Sequence, residues 1–437
     1  MASETTAGTT RTGMRPLQRI KAILGGSAGN LVEWYDWFAY SSFTLYFAKH
    51  FFPNGDRTEQ LLQAAAVFGV GFMARPVGAW LMGLYADWAG RRTALTLSVA
   101  LMSVGSFAIA ILPDYSQIGV AAPVLLVVAR LVQGLSLGGE YGASATYMAE
   151  MAGKSHRGFW SSFQFLTLIA GQLTALAVLI ILQNFMPRAD LEAWGWRIPF
   201  AIGGLLAVVV FWIRTGLAES QSYINAKAEG AERARTSMLI TRYPKESAAI
   251  FMLTGAGSLA FYAYTTYMQK FLVNTSGFTK DSATAITAAM LVVYMFIQPA
   301  MGWISDYVGR KNTMAVGMGL GALATFPAMS AIAGTDSATV AFLLATLLVL
   351  CLSGYTAVNA ALKAELFPAH VRALGVALPY ALGNALFGGS AEFAALWFKQ
   401  SGMENGFYIY VSGMMLIAMM VATRLPNTNI TSLILED

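Results

Sequence analysis

The stretch GLYADWAGRR at residues 83–92 returns as GWISDYVGRK at residues 302–311, half a chain length further on. Both copies have the form G-x-x-x-D-x-x-G-R-[RK], a polar, charged turn set between long apolar runs. A second pair repeats with it: Glu150 and Arg157 recur as Glu365 and Arg372, with the same gap between them. Halves that share such landmarks at matching places descend from one duplicated unit. Duplicated hydrophobic halves with a substrate site between them are a common plan of membrane carriers.

Composition supports a membrane chain. Of 437 residues, 56% are hydrophobic and 12% charged, where soluble domains carry about 25% charged residues. Hydrocarbon offers no hydrogen-bond partners, so spanning segments must be helices or closed barrels. The apolar runs are about 20 residues or longer, which fits helices and not the roughly 10-residue alternating strands of a barrel. The net charge of +5 sits in short loops between apolar runs, so no nucleic-acid partner is expected. With three His, one Cys, no phosphate-binding loop and no metal-ligand spacing, the chain reads as no enzyme, with no cofactor and no metal. Cys351 lies in an apolar run and reads as a small packing residue.

Apolar runs place twelve spans in two sets of six: near 20–48, 61–86, 93–112, 121–150, 158–184 and 198–215, then near 247–273, 282–304, 312–334, 338–366, 372–398 and 405–423. The expected organisation is a disordered tail (1–17), a six-helix bundle (18–216), a polar linker (217–245), a second six-helix bundle (246–425) and a short tail (426–437). Most of the 28 Lys and Arg fall on one side if both termini are cytoplasmic, the positive-inside pattern. That puts both repeated turns in the cytoplasm. Small residues at four-residue spacing, Gly25/Gly29 and Gly134/Gly138/Gly142, are expected to let helices approach closely.

The repeated turn, twelve spans and central linker resemble the major facilitator superfamily. Its usual basic residue after the turn Asp is replaced here by Trp88 and Tyr307. GNLVEWYDW in span 1, RLVQGLSLGGEYG in span 4 and WGWRIPF before span 6 are similar to the metabolite:proton symporter branch. TYMQKFLVNT, LKAELFPAHVRALG and FGGSAEF resemble the carriers of 2-oxoglutarate within that branch. The resemblance implies an all-α, inner-membrane, monomeric carrier that imports 2-oxoglutarate or a close dicarboxylate with protons. Shikimate, citrate or a betaine is the alternative solute, and a non-transporting sensor a remoter one.

Charges inside a bilayer cost at least about 2.5–3.5 kcal/mol each and are functional candidates by default. At about 1.5 Å per residue, Asp36 on span 1 and Arg130 on span 4 fall at similar depth and are expected to pair. The resemblance implies that such a pair couples the proton. Glu33, three residues before Asp36, is the alternative proton site, and Glu140, expected near the level of Arg75, is a further proton-coupling candidate that would neutralise Arg75 in one state of the cycle. Glu392 is a further proton candidate if something neutralises it. Arg forks suit carboxylates, so Arg75 and Arg130 are the expected substrate cations, joined by Lys363. Gln164, Tyr262, Tyr267, Gln269, Asn359, Tyr380 and Asn384 are the polar candidates for the rest of the cavity. Asp87, Arg91, Glu150, Arg157, Asp306, Arg310, Glu365 and Arg372 are expected to form a cytoplasmic gate. In it, Asp87 and Asp306 would cap the helices that follow them, and Arg310 would reach Glu365.

Overall fold

The computed structural model describes residues 16–89, 91–138, 149, 156–215 and 236–434, and their regular structure is helical. The long helices of the first half are α1 (Pro16–Phe51), α2 (Arg57–Ala89), α3 (Arg91–Ile111), α4 (Ala121–Leu137), α5 (Phe163–Phe185) and α6 (Ile198–Thr215). Those of the second half are α7 (Pro244–Phe261), α8 (Lys280–Val308), α9 (Arg310–Ala333), α10 (Ala338–Thr356), α11 (Ala369–Gly383) and α12 (Glu404–Arg424). Three of these continue past a break. α7 passes through a π-helical turn, Tyr262–Thr266, into Met268–Asn274. α10 resumes as Asn359–Glu365, and α11 passes through a second π turn, Asn384–Gly388, into Ala391–Gln400. Such turns are rare and frequently mark functional sites.

Among the described residues eight helices are long and apolar enough to cross a membrane by length and composition alone. Thr96–Ile111 and Ala121–Leu137 are shorter apolar helices. α1 carries Glu33 and Asp36 at its middle, and α11 is interrupted by its π turn. Large apolar side chains such as Trp80, Ile111, Phe185, Leu323 and Ile409 lie exposed on the outside, where lipid is their natural solvent.

The duplication is visible in the packing. α3 packs on α6 and α4, α2 on α4, and α1 on α5; correspondingly α9 packs on α12 and α10, α8 on α10, and α7 on α11. The two halves then meet through α5 against α8 and α2 against the continuation of α11. Gly134 and Gly138 do bring α4 onto α2, since a Cβ at Gly134 would lie 2.1 Å from the Gly71 carbonyl oxygen. Gly142 lies outside the described residues, as do the side-chain surroundings of Gly25 and Gly29. Gly309 explains the invariant glycine of the second repeated turn: it is the single residue between α8 and α9, at φ 97°. A side chain there is strained whatever the space around it.

The halves also touch through bare backbone. A Cβ at Gly158 would sit 2.5 Å from the Gly302 carbonyl oxygen and 2.3 Å from Ser305 Oγ. Gly158→Val is therefore expected to push the halves apart at this end, with an overpacking cost of about 1–3 kcal/mol. The check is aqueous thiol labelling of Ser161→Cys, a buried position at the same end, in a Cys351→Ser background. Labelling should rise with Gly158→Val; unchanged labelling would mean that closure does not depend on this contact.

Candidate functional site

Between the halves lies a small cavity, lined on one side by Asn30, Glu33, Trp34, Arg75, Leu137 and Gly138 and on the other by Ala377, Tyr380, Ala381 and Asn384. Its electrostatics are set by a tryptophan between two arginines. The Arg75 guanidinium carbon is 4.0 Å from the Trp37 ring centroid and that of Arg130 is 3.9 Å from it. Arg75 also lies 4.0 Å from the Phe72 ring, and Arg130 4.5 Å from that of Tyr40. Cation–π contact is worth about 0.5–2 kcal/mol, less than the several kcal/mol that burying each ion costs. The balance is not closed by counter-ions. Nε and Nη2 of both arginines lack hydrogen-bond partners, and among the described residues no carboxylate stands within ion-pair distance of either. The two π turns deliver the polar groups opposite: the Tyr262 hydroxyl approaches both Arg75 and Asn384.

Asp36 and Arg130 do not pair directly, contrary to expectation. Gln133 stands between them: Arg130 Nη1 donates to Gln133 Oε1 at 2.9 Å, and Gln133 Nε2 donates to Asp36 Oδ2 at 2.7 Å. One turn along α4 suffices for this, since residues three apart share a face. The other carboxylate oxygen accepts from Ser106 Oγ at 2.5 Å. Ser106 Oγ also lies 3.0 Å from the Met102 carbonyl oxygen, and Gln133 Nε2 donates to it at 3.0 Å. A hydroxyl has one hydrogen, so Ser106 serves either protonation state of Asp36. It donates to the carboxylate, or it turns to Met102 and accepts from the carboxylic acid.

The second half supplies two buried lysines. Lys363 Nζ donates to Thr254 Oγ1 at 2.6 Å and lies 4.6 Å from the ring of Tyr380, a wall of the cavity. Among the described residues no carboxylate pairs with it. Lys270, unread in the sequence, differs. Its ammonium contacts both oxygens of Glu392 at 2.7 Å and donates to Ser41 Oγ of the first half at 2.7 Å. Glu392 is thus neutralised within the second half.

Other candidates fall elsewhere. Gln269 Nε2 donates to Thr284 Oγ1 at 3.0 Å, in a cluster completed by Gln183 and Tyr46 at the end away from the repeated turns. Tyr267 stacks on Phe271 and Phe407 inside the second half. Neither lines the cavity. Gln164 is closer: its carbonyl accepts from Thr167, whose hydroxyl accepts from the cavity residue Asn30. Asn359 is buried where α10 resumes. Glu140 and Glu150 lie outside the described residues, and so do the side chains of Asp87 and Arg91.

At the end carrying the repeated turns, Glu365 Oε1 lies 3.2 Å from Arg157 Nη1 of the first half and 3.3 Å from Arg310 Nε of the second. Asp306 does cap a helix start, but not the one that follows it. It accepts from the Gly158 and Phe159 amides at 2.7 and 3.1 Å, at the N-terminus of Arg157–Ser161 in the other half, while Arg310 braces it at 3.1 Å. The reason is directional: Asp306 ends α8 beside α5, and the glycine at the start of α9 turns that helix away. The stretch after α12 joins the cluster, with Arg372 donating to the Leu433 carbonyl at 2.9 Å and Arg157 to Ser432 Oγ at 3.1 Å. Arg372 also donates to the carbonyls of Ala364 and Phe367.

Sequence reading missed Gln133, Ser106, Trp37 and Lys270. Gln133 carried a signal, as a polar residue one turn from Arg130 on an apolar helix. Lys270 carried one too, as an unpaired-looking charge near the outer end of a span.

Comparison with known proteins bears on this geometry. Residues 22–247 match the model of the family described as sugar (and other) transporters, and residues 250–433 match that of the major facilitator superfamily. The chain is 48% identical over 423 residues to the alpha-ketoglutarate permease of Escherichia coli K12, covering 97% of each. It is 34% identical to a citrate-proton symporter of Klebsiella pneumoniae, covering 85% of this chain and 83% of that one. Among solved structures, the partially occluded inward-open xylose transporter XylE of E. coli superposes with a TM-score of 0.73, over 93% of this chain and 98% of that one, at 19% identity. The twelve-helix duplicated fold and these matches agree: the chain is a member of the major facilitator superfamily.

Proposed function

We propose that this carrier is a proton-coupled symporter for 2-oxoglutarate or a close dicarboxylate, working as a monomer by alternating access across the inner membrane. The repeated turns and both termini face the cytoplasm in this reading. The observation that carries it is the set of buried cations around one cavity that form no direct ion pair among the described residues: Arg75 and Arg130 on the first half, Lys363 beside Tyr380 on the second. A dianion with a carboxylate at each end supplies what those groups lack. Its one end meets the Arg75 fork and its other the lysine, so it draws the halves together. The similarity to a permease for alpha-ketoglutarate points to the same substrate. A quaternary ammonium fits poorly, because the aromatic faces that would cage it already hold guanidinium groups.

The proton site in this reading is Asp36. Substrate that draws the Arg130 guanidinium toward the cavity loosens its bond to Gln133, the residue that links Arg130 to Asp36. Asp36 then takes a proton while Ser106 reverses its bond. Glu33, on the cavity wall, is the second acid available. More than one proton is favoured by charge balance, since a dianion carried with one proton still moves a negative charge against the potential at about 2.3 kcal/mol per 100 mV.

The test is uptake of labelled 2-oxoglutarate into proteoliposomes under an inward proton gradient. Accumulation that collapses with a protonophore supports symport, and no uptake by folded protein overturns it. Asp36→Asn keeps the hydrogen-bonding shape without the acid, and is expected to lose uphill accumulation while retaining counterflow exchange. Wild-type accumulation by that variant would remove Asp36 from the proton path. Arg75→Lys is expected to raise KM about tenfold, or about 1.4 kcal/mol, because an ammonium cannot replace the fork. An unchanged KM would take Arg75 out of the binding site.

A further inference from the structure

A second concave region lies at the end opposite the repeated turns. It has a volume of ≈ 430 Å³, and its wall includes Lys49 and Arg57 of the first half, Arg188 and Glu192 of the connection between α5 and α6, and Lys280, which opens α8. Four cations face one carboxylate there, with Asp281 near Tyr46 at the edge. The carboxylate is shared: Lys49 Nζ donates to Glu192 Oε2 and Lys280 Nζ to Oε1, each at 2.9 Å. Lys280 also lies 4.4 Å from the Tyr46 ring. Glu192 therefore ties the two halves together at this mouth. Arg57 and Arg188 are exposed and form no ion pair among the described residues.

We propose that this cleft is a capture site for the dicarboxylate substrate, where an arriving carboxylate exchanges with Glu192 for Lys280 and Lys49 and so releases the tie between the halves. The inference rests on the transport reading above, which puts this mouth on the outer side. Its physics is simple. A concave wall of one charge sign focuses field into the cleft and raises the local concentration of the opposite ion. The unpaired Arg57 and Arg188 attract, and the paired lysines receive. A proton cannot do the same job as the anion. Burial opposes the charge of Glu192, but the hydrogen bonds from Lys280 and Lys49 outweigh it and hold the carboxyl down at about 2. A depressed acid keeps its tie above that value and loses it only as the pH falls towards 2. At working pH a competing anion is the remaining means of breaking it.

The experiment measures initial rates of 2-oxoglutarate uptake against concentration, at low and high ionic strength, in right-side-out vesicles carrying the full chain. Arg57→Gln with Arg188→Gln is expected to raise KM by about tenfold at low salt, within the range of charge focusing, with the saturating rate nearly kept. That increase should shrink at high salt, and Arg57→Lys with Arg188→Lys should restore the wild-type KM because focusing needs charge and no fork. Glu192→Gln, which removes the competitor, is expected to lower KM. A KM within twofold of wild type for the double Gln variant, or failure of the Lys pair to restore it, or a raised KM in Glu192→Gln, would each overturn the capture site. Absence of wild-type uptake overturns the transport reading itself, and the capture site with it.

Discussion

Three buried cations that form no direct ion pair among the described residues govern the rest of this molecule. In a low-dielectric interior a charge must be paired or lined with polar groups, and removing a partner from a buried pair costs about 3–5 kcal/mol. Arg75, Arg130 and Lys363 stand in that costly condition, eased only by aromatic rings and single hydrogen bonds. Lys270 shows what the same fold does when a cation is structural: it gives it Glu392 on both oxygens and a serine besides. The contrast supports the proposed division of these cations into binding groups and scaffold.

Trp37 makes the two arginines parts of one device. Its ring lies against both guanidinium groups, so neither can shift without exposing a face of the indole or moving the other. Arg130 in turn reaches Asp36 only through Gln133. In the transport reading, substrate charge and proton charge are joined through Arg130, Gln133 and Asp36, with Ser106 able to switch its hydrogen bond between Asp36 and Met102. A direct Asp36–Arg130 ion pair would be a poorer coupler, because the arginine would satisfy the acid permanently.

The architecture was legible because it is written in long-range patterns. Twelve apolar runs, one repeated charged turn and the small-residue spacing of α4 determine most of the fold, and each survives a blurred reading of boundaries. Arg75, Arg130, Asp36 and Lys363 were legible as well, since each is a charge where hydrocarbon forbids one. What stayed hidden depends on tertiary direction. The choice of Asp306 to cap the other half's helix is fixed by where Gly309 sends the chain, which no local pattern encodes. Gln269 and Tyr267 share the polar or aromatic character of the cavity residues and point elsewhere because the π turn at Tyr262–Thr266 rotates the helix beyond it. The docking of Ser432 and Leu433 on the clasp is likewise a contact between distant segments.

The two closed ends are not equal, and magnitudes decide which yields first. At the repeated-turn end, Glu365, Arg157, Arg310 and Asp306 are nearly fully buried, with side-chain exposure of 1–3%. Bonds to ionised groups there are worth about 1.5–3 kcal/mol each, and several must break together. At the other end the pair that joins the halves, Glu192 with Lys280, is 29% and 13% exposed, more solvated than the clasp and so a weaker tie. Water and salt already compete for that tie. The molecule in this arrangement is thus biased to open at the weak, basic mouth. A dianion that settles between Arg75 and Lys363 would supply the interaction needed to reverse the bias, since only differential binding to the two states can move such an equilibrium. In that reading the strong clasp would serve as a threshold, staying shut for a solute that engages one half and yielding to one long enough to engage both.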